Sequence, residues 1–250
     1  MENKLYKYEL HCHTGCVSRC GRVEPEKIVE LYIEKGYDGI VVTDHYSPMT
    51  FEPNWNPQRQ IDFYLSGYRR MKKAAEKYDG FTVLLGMELR HYGTANDYLI
   101  YGIDESFLYS SGNLMVPWEK KIYELCHNRG YLVFQAHPFR PGIRRCNENY
   151  IDGIEIYNGK TNEEQNAKAE AWAKESGKLV CSGSDFHTSA HTARGGIITN
   201  EAINNNDDLL KILKNQDFEL IKILICNIVC FLSFNSKNKV KIGHTLLTKR

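Results

Sequence analysis

At 250 residues with a formal net charge of +1, the chain has the length of one α/β barrel and too little excess positive charge to present a broad cationic surface to nucleic acid. Met1-Glu2-Asn3-Lys4 has no apolar signal-peptide core, and no uninterrupted apolar run reaches membrane-spanning length. The eight cysteines are scattered singly, which argues against a disulfide framework and fits a reducing cytoplasm.

In chain order, Leu5 to Leu10 reads as a short strand that delivers His11 and His13 at its end. Residues i and i+2 of an extended chain point the same way, so both imidazoles can meet one metal ion. Cys12, between them, should point away. Cys12, Cys16 and Cys20 recur every four residues, without the Cys-x-x-Cys chelate of zinc or iron–sulfur sites.

Glu24 and Pro25 suit the first turn of a helix, Ile28, Val29, Tyr32 and Ile33 form its apolar stripe, and Gly36 stops it. Gly39 to Val42 is a buried strand ending in Thr43-Asp44-His45. Pro48, Pro53 and Pro57, with Asn54 and Asn56, mark a loop whose aromatics Tyr46, Phe51 and Trp55 could line a pocket mouth or simply pack. A helix is expected from about Ile61 to Tyr78. Phe81 to Met87 is a strand ending at Glu88, and Asp97 opens the short strand Tyr98–Tyr101. A helix over Trp118–Asn128 precedes the strand Tyr131–Phe134, which ends in Gln135-Ala136-His137-Pro138. Gly153 to Tyr157 is a strand followed by Asn158-Gly159-Lys160, and Glu163 to Ser176 is a helix closed by Gly177. Leu179-Val180-Cys181 then leads into Ser184-Asp185-Phe186-His187, and Asp207 to Asn215 suits a last helix.

Alternating strands and helices predict parallel strands with helices packed outside. One histidine after a strand is ordinarily a hydrogen-bonded loop residue. Five strands ending in His11/His13, His45, Glu88, His137 and Asp185/His187 are harder to dismiss, because a closed barrel brings all five ends to one mouth. Nitrogen and oxygen donors without a thiolate cluster suit catalytic zinc, manganese or iron.

The motifs Leu10-His11-Cys12-His13-Thr14, Thr43-Asp44-His45, Gly86-Met87-Glu88, Ala136-His137-Pro138 and Gly183-Ser184-Asp185-Phe186-His187 resemble, in order, those of the polymerase and histidinol phosphatase (PHP) family. The resemblance spans roughly residues 6 to 200 and implies a distorted seven-stranded (β/α) barrel, TIM-like, with two or three divalent metals at the C-terminal ends of its strands. It implies a first metal on His11, His13, Glu88 and Asp185, a second bridged by Glu88 and bound by His137, and a third on His45 and His187. Asp97 stands where the family often has a histidine. The loop Gly15–Arg19 lacks the family's usual acidic or histidine ligand, and Cys16 is the candidate substitute.

Phosphoester hydrolysis also needs cations for the nonreacting phosphate oxygens. Arg140, Arg144, Lys160 and Arg194 are the candidates, while Asp44 could orient a ligand or handle a proton. The expected activity is hydrolysis of a phosphate monoester of a small metabolite or nucleotide. A 3′–5′ exonuclease and a metal-binding regulatory barrel without turnover are the alternatives, with nucleic acid disfavoured by charge and the oligomeric state open. Residues 1–220 are expected to form the barrel. Residues 221–250 read as a divergent tail, whose last part, 236–250, carries five basic and no acidic residues.

Overall fold

The computed structural model describes residues 4–224, 228–233 and 241–245. β1 (Tyr6–Cys12), α1 (Pro25–Glu34) and β2 (Gly39–Val42) form the first strand–helix–strand unit. Pro25 sits at the start of α1, where its missing N–H costs nothing, and Gly36 ends the helix at φ +69°. A two-residue strand β3 (His45–Tyr46) precedes α2 (Pro57–Ala75). This helix starts and ends earlier than its apolar pattern suggests. The Asn56 side chain accepts from the Arg59 N–H at 2.8 Å and Pro57 takes the first helical position, so residues that read as loop punctuation are the helix cap. Tyr46 and Phe51 are buried edge-to-face at 4.9 Å: packing, not the pocket mouth, accounts for them.

The chain continues through β4 (Thr82–Arg90), β5 (Asp97–Tyr101), α3 (Glu105–Ser110), α4 (Glu119–His127), β6 (Leu132–Gln135), β7 (Gly153–Asn158), α5 (Glu163–Ser176) and β8 (Leu179–Gly183). It ends in β9 (Gly195–Thr199), α6 (Asn206–Asn215), β10 (Glu219–Leu224), β11 (Ile228–Ser233) and β12 (Lys241–Thr245). Strands β1-β2-β4-β5-β6-β7-β8 neighbour one another in that order. The segment after β8 returns to β1: the Phe186 N–H donates to the His11 carbonyl and the His13 N–H to the Phe186 carbonyl, both at 3.0 Å. The result is a mixed α/β, nearly closed barrel of seven strands, distorted as expected.

Not every barrel strand is parallel. β5 runs antiparallel to both β4 and β6, because only residues 91–96 separate it from β4 and a parallel crossover needs roughly a dozen residues or more. The reversal places Asp97 opposite Arg90, at the same end of the barrel as Glu88. Outside the barrel β9 pairs antiparallel with β1, and β10, β11 and β12 extend the sheet. Of the basic C-terminal stretch, residues 241–245 belong to β12, whereas 236–240 and 246–250 lie outside the described residues.

Tyr8, Leu10, Met87, Leu99, Phe134 and Ile154 belong to one continuous buried core. α1 and α2 supply Ile28, Tyr32 and Met71 to a second, which holds Cys12 and Phe186. Cys12 is thus directed away from its flanking histidines, and burial pushes its thiol well above the ordinary range. Among the described residues, no helix is long and apolar enough to cross a membrane.

Candidate metal centre

A register shift in β1 between Glu9 and Cys12 marks a bulge directly before the His-x-His pair, and such bulges re-aim side chains. His11 Nε2 and His13 Nε2 come within 3.0 Å of each other. Glu88, fully buried at the end of β4, reaches four imidazoles. Its carboxylate lies 3.3 Å from His11 Nε2, 3.3 Å from His13 Nε2, 2.7 Å from His45 Nδ1 and 2.9 Å from His137 Nε2. Asp185 Oδ1 closes the ring at 3.7 Å from His11 Nε2, 3.4 Å from His13 Nε2 and 3.1 Å from His187 Nδ1. Asp97 Oδ2 is 3.8 Å from His137 Nε2, although Arg90 holds both Asp97 oxygens at 2.7 and 2.5 Å.

The candidate donors fall into overlapping sets whose ligand atoms lie within 4.8 Å of one another: His11/His13/Glu88, His11/His137/Asp185, Glu88/Asp97/His137 and His13/His45/His187. His137 and Asp185 hold φ of +29° and +51°, a region that non-glycine residues rarely adopt and that clusters at functional sites.

The supporting shell explains why this arrangement suits metal. His11 Nδ1 is 2.8 Å from Glu155 Oε1, and His13 Nδ1 is 3.2 Å from Ser18 Oγ. Ser18 donates to Asp44 Oδ1 at 2.7 Å and accepts from the His45 N–H at 3.0 Å. Tautomers assigned from these partners put both protons on Nδ1 and leave the two Nε2 lone pairs facing each other. Such lone pairs repel unless a cation, proton or metal, lies between them. Glu88 Oε2 and His137 Nδ1 are buried without an aligned hydrogen-bond partner, which is costly unless something else satisfies them. The donors present therefore fit more than one divalent metal.

The electrostatics agree. Burial works against charge on His11, yet Glu155, Asp185 and Glu88 hold its pKa well above the usual imidazole value. His45 is raised likewise, with Glu88 overcoming its burial. Burial, followed by His45 and His187, drives His13 well below. Despite burial, His45 and His11 keep Glu88 well below the usual carboxylate range, and His11, His13, His187 and Arg140 do the same for Asp185. Protons on His11 and His45 thus occupy places a dication would take. Metal binding near pH 7 is expected to release at least one proton per chain, so affinity rises with pH. Calorimetry in two buffers of different ionisation enthalpy measures this, and zero release would contradict it.

Glu155, which the sequence did not single out, sits at a second register shift, in β7. One of its oxygens faces His11 Nδ1, and the other accepts from the His137 N–H and Asn158 Nδ2, each at 2.9 Å. A glutamine offers one acceptor oxygen instead of two. Glu155→Gln is expected to weaken metal affinity roughly 10- to 100-fold with little change in melting temperature. Unchanged affinity would remove Glu155 from the site. Glu9, also not anticipated, accepts from the Leu10, His11 and Ser184 N–H groups at 3.0, 2.9 and 2.8 Å and from the Tyr32 hydroxyl at 2.7 Å. Burial pushes its carboxyl up to about 7. Its role is to tie β1 to the segment that closes the barrel. Both acids lie inside strands, among apolar residues, and that placement was the available signal.

Of the four candidate phosphate-binding cations, two reach the cluster. Arg140 Nη2 donates to Asp185 Oδ2 and to Asn158 Oδ1. Lys160 Nζ stands 3.2 Å from His187 Nδ1 and 3.8 Å from Asp185 Oδ1. Arg194 instead donates to the Gly159 carbonyl at 3.2 Å. The Arg144 side chain is exposed, and its backbone N–H and carbonyl bond Asn96 and Gln135. Asp44 is buried and accepts from the Thr14 N–H, Thr14 hydroxyl and Ser18 hydroxyl, all at 2.7 Å. Burial pushes its carboxyl up to about 6. Cys16 is not brought to His45 and His187: its sulfur lies 3.5 Å from Thr14 Oγ1, and burial raises its pKa.

A family model, the PHP domain, matches residues 9–220. No curated protein matches the chain by sequence. Among solved structures, a protein from Bifidobacterium adolescentis provisionally described as a metal-dependent phosphoesterase is 17% identical, with a TM-score of 0.52 over 83% of this chain and 95% of that one. PsfC from Pseudomonas syringae is 15% identical, with a TM-score of 0.60 over 83% of this chain and 88% of that one. The lesion-specific endonuclease PfuEndoQ from Pyrococcus furiosus is 14% identical, with a TM-score of 0.57 over 84% of this chain and 56% of that one. At these identities the three likenesses bear on the fold alone. The family match covers most of the chain, and it joins the buried His/Asp/Glu cluster in one conclusion: the chain belongs to the PHP domain family of metal-dependent phosphoesterase hydrolases.

Proposed function

We propose that the protein hydrolyses a phosphate monoester of a small metabolite or nucleotide, using two or three divalent ions of zinc, manganese or iron. The observation that carries this reading is one buried carboxylate, Glu88, within 3.3 Å of four imidazoles, with the cations Arg140 and Lys160 close to neighbouring Asp185. His11, His13, Glu88 and Asp185 would hold one metal, Glu88, Asp97 and His137 a second, and His45 and His187 a third. Bound there, divalent metals activate water and neutralise charge that develops on the phosphoryl oxygens.

The remaining work falls to the chain. Arg140 has only Nη2 engaged, so its other N–H groups can take a nonreacting phosphate oxygen. The Lys160 ammonium stands 3.2 Å from His187 Nδ1 and 3.8 Å from Asp185 Oδ1, so its remaining N–H groups can also serve an anion. Asp44 acts through Ser18, whose hydroxyl fixes the His13 ring, so its role is to orient a ligand and not to move a proton in the reaction.

The test is turnover of an aryl phosphate and a panel of sugar and nucleoside monophosphates, with zinc or manganese added to the metal-free protein. Metal-dependent phosphate release from at least one monoester is the expected result. Salt-sensitive degradation of single-stranded DNA without monoester turnover, or metal binding with no turnover, would overturn it.

A further inference from the structure

Asn158 ends β7 as a fully buried amide surrounded by charged groups. On a regular strand, residues three apart face opposite sides. The register shift between Glu155 and Tyr157 turns Asn158 to the side that Glu155 occupies. Its Nδ2 donates to Glu155 Oε2 at 2.9 Å and to Asp185 Oδ2 at 3.3 Å. Its Oδ1 accepts from Arg140 Nη2 at 2.7 Å, from the Lys160 N–H at 3.0 Å and from the Thr161 hydroxyl at 3.2 Å. Two carboxylates at one end and three donors at the other leave the amide a single orientation. The backbone is clamped as well. Asn166, on α5, accepts from the Asn158 N–H at 3.1 Å and donates to the Asn158 carbonyl at 3.3 Å.

The consequence falls on Arg140. Its Nη2 carries two hydrogens, and both are taken, one by Asn158 Oδ1 and one by Asp185 Oδ2. Two fixed acceptors on one nitrogen of a planar group set the plane of that group. The Nε and Nη1 N–H groups are therefore aimed, whereas Asp185 alone would let the guanidinium turn about a single bond. The same amide sorts the two oxygens of Asp185. Oδ2 is occupied by Asn158 and Arg140, while Oδ1 faces His11, His13 and His187. We propose that Asn158 is a positioning residue for anion recognition, holding Arg140 in the orientation that receives a phosphate and keeping Asp185 Oδ1 on the metal side. The inference rests on the phosphate-monoester reading of the site and goes beyond it by naming the residue that orients its cation. Aspartate could not do this, because it would set a third carboxylate against Glu155 and Asp185.

The experiment is a calorimetric titration of inorganic phosphate into the full-length, metal-loaded protein, freed of excess metal. Wild type, Asn158→Ala, Arg140→Ala and the double variant are compared at equal metal content, measured on the same samples. Asn158→Ala should weaken phosphate binding about 10-fold, the scale of a lost hydrogen bond to a charged group. In the Arg140→Ala background the same substitution should cost less than about threefold, because the side chain it acts through is gone. A general loosening of the fold would cost the same factor in both backgrounds. Asn158→Ser, too short to reach Arg140, should behave like Asn158→Ala and replaces it if the alanine variant does not fold. Wild-type phosphate affinity in both Asn158 variants, or equal losses with and without Arg140, would overturn the role of Asn158 and leave the phosphoester reading standing. Wild type that takes up metal but no phosphate would overturn both.

Discussion

Glu88→Gln is expected to lower kcat/KM by on the order of 1,000-fold and to strip metal from the protein. The substitution keeps size and shape but removes the charge on which four imidazoles converge. A neutral amide cannot bridge two dications. Its NH₂ group would also donate towards imidazole nitrogens that would otherwise offer their lone pairs to metal. Glu88 is fully buried, so water cannot replace the lost oxygen ligand. The measurements are steady-state kinetics and metal content on the same samples. Retained metal with less than about a tenfold loss of rate would refute the bridging position.

The second large effect separates two arginines that look alike in sequence. Arg140→Ala is expected to cost about 100-fold in kcat/KM, in line with loss of a charge-stabilising donor, whereas Arg144→Ala should change it by less than about threefold. Both follow His137-Pro138 within a few residues. Arg140 turns inward to Asp185 and Asn158 with most of its surface covered. Arg144 has an exposed side chain, and what it contributes to the loop is backbone hydrogen bonding. Arg140→Lys keeps the charge without the planar fork and should recover only part of the loss. Equal losses for Arg140→Ala and Arg144→Ala would contradict this assignment.

What could be read from sequence follows from chemistry that sits at strand ends. His11, His13, His45, Glu88, His137, Asp185 and His187 each end or follow an apolar run, so barrel closure alone brings them together. Less legible were features decided by the return path of a loop. β5 reads as one more strand, and its reversal depends on the length of the connection 91–96. That reversal brings Asp97 to the mouth, where it also neutralises Arg90. Glu9 and Glu155 were passed over because an acid within a strand reads as ordinary alternation, and only the folded chain shows which groups it receives.

Anomalous diffraction tests the central claim, a multi-metal centre at the barrel mouth, most directly. Crystals grown with zinc or manganese would be measured at the absorption edge of the added metal. Separate peaks are expected, one bounded by His11, His13, Glu88 and Asp185 and another by Glu88, Asp97 and His137. A map whose ordered metal lies elsewhere on the molecule, with none inside this cluster, would contradict the account.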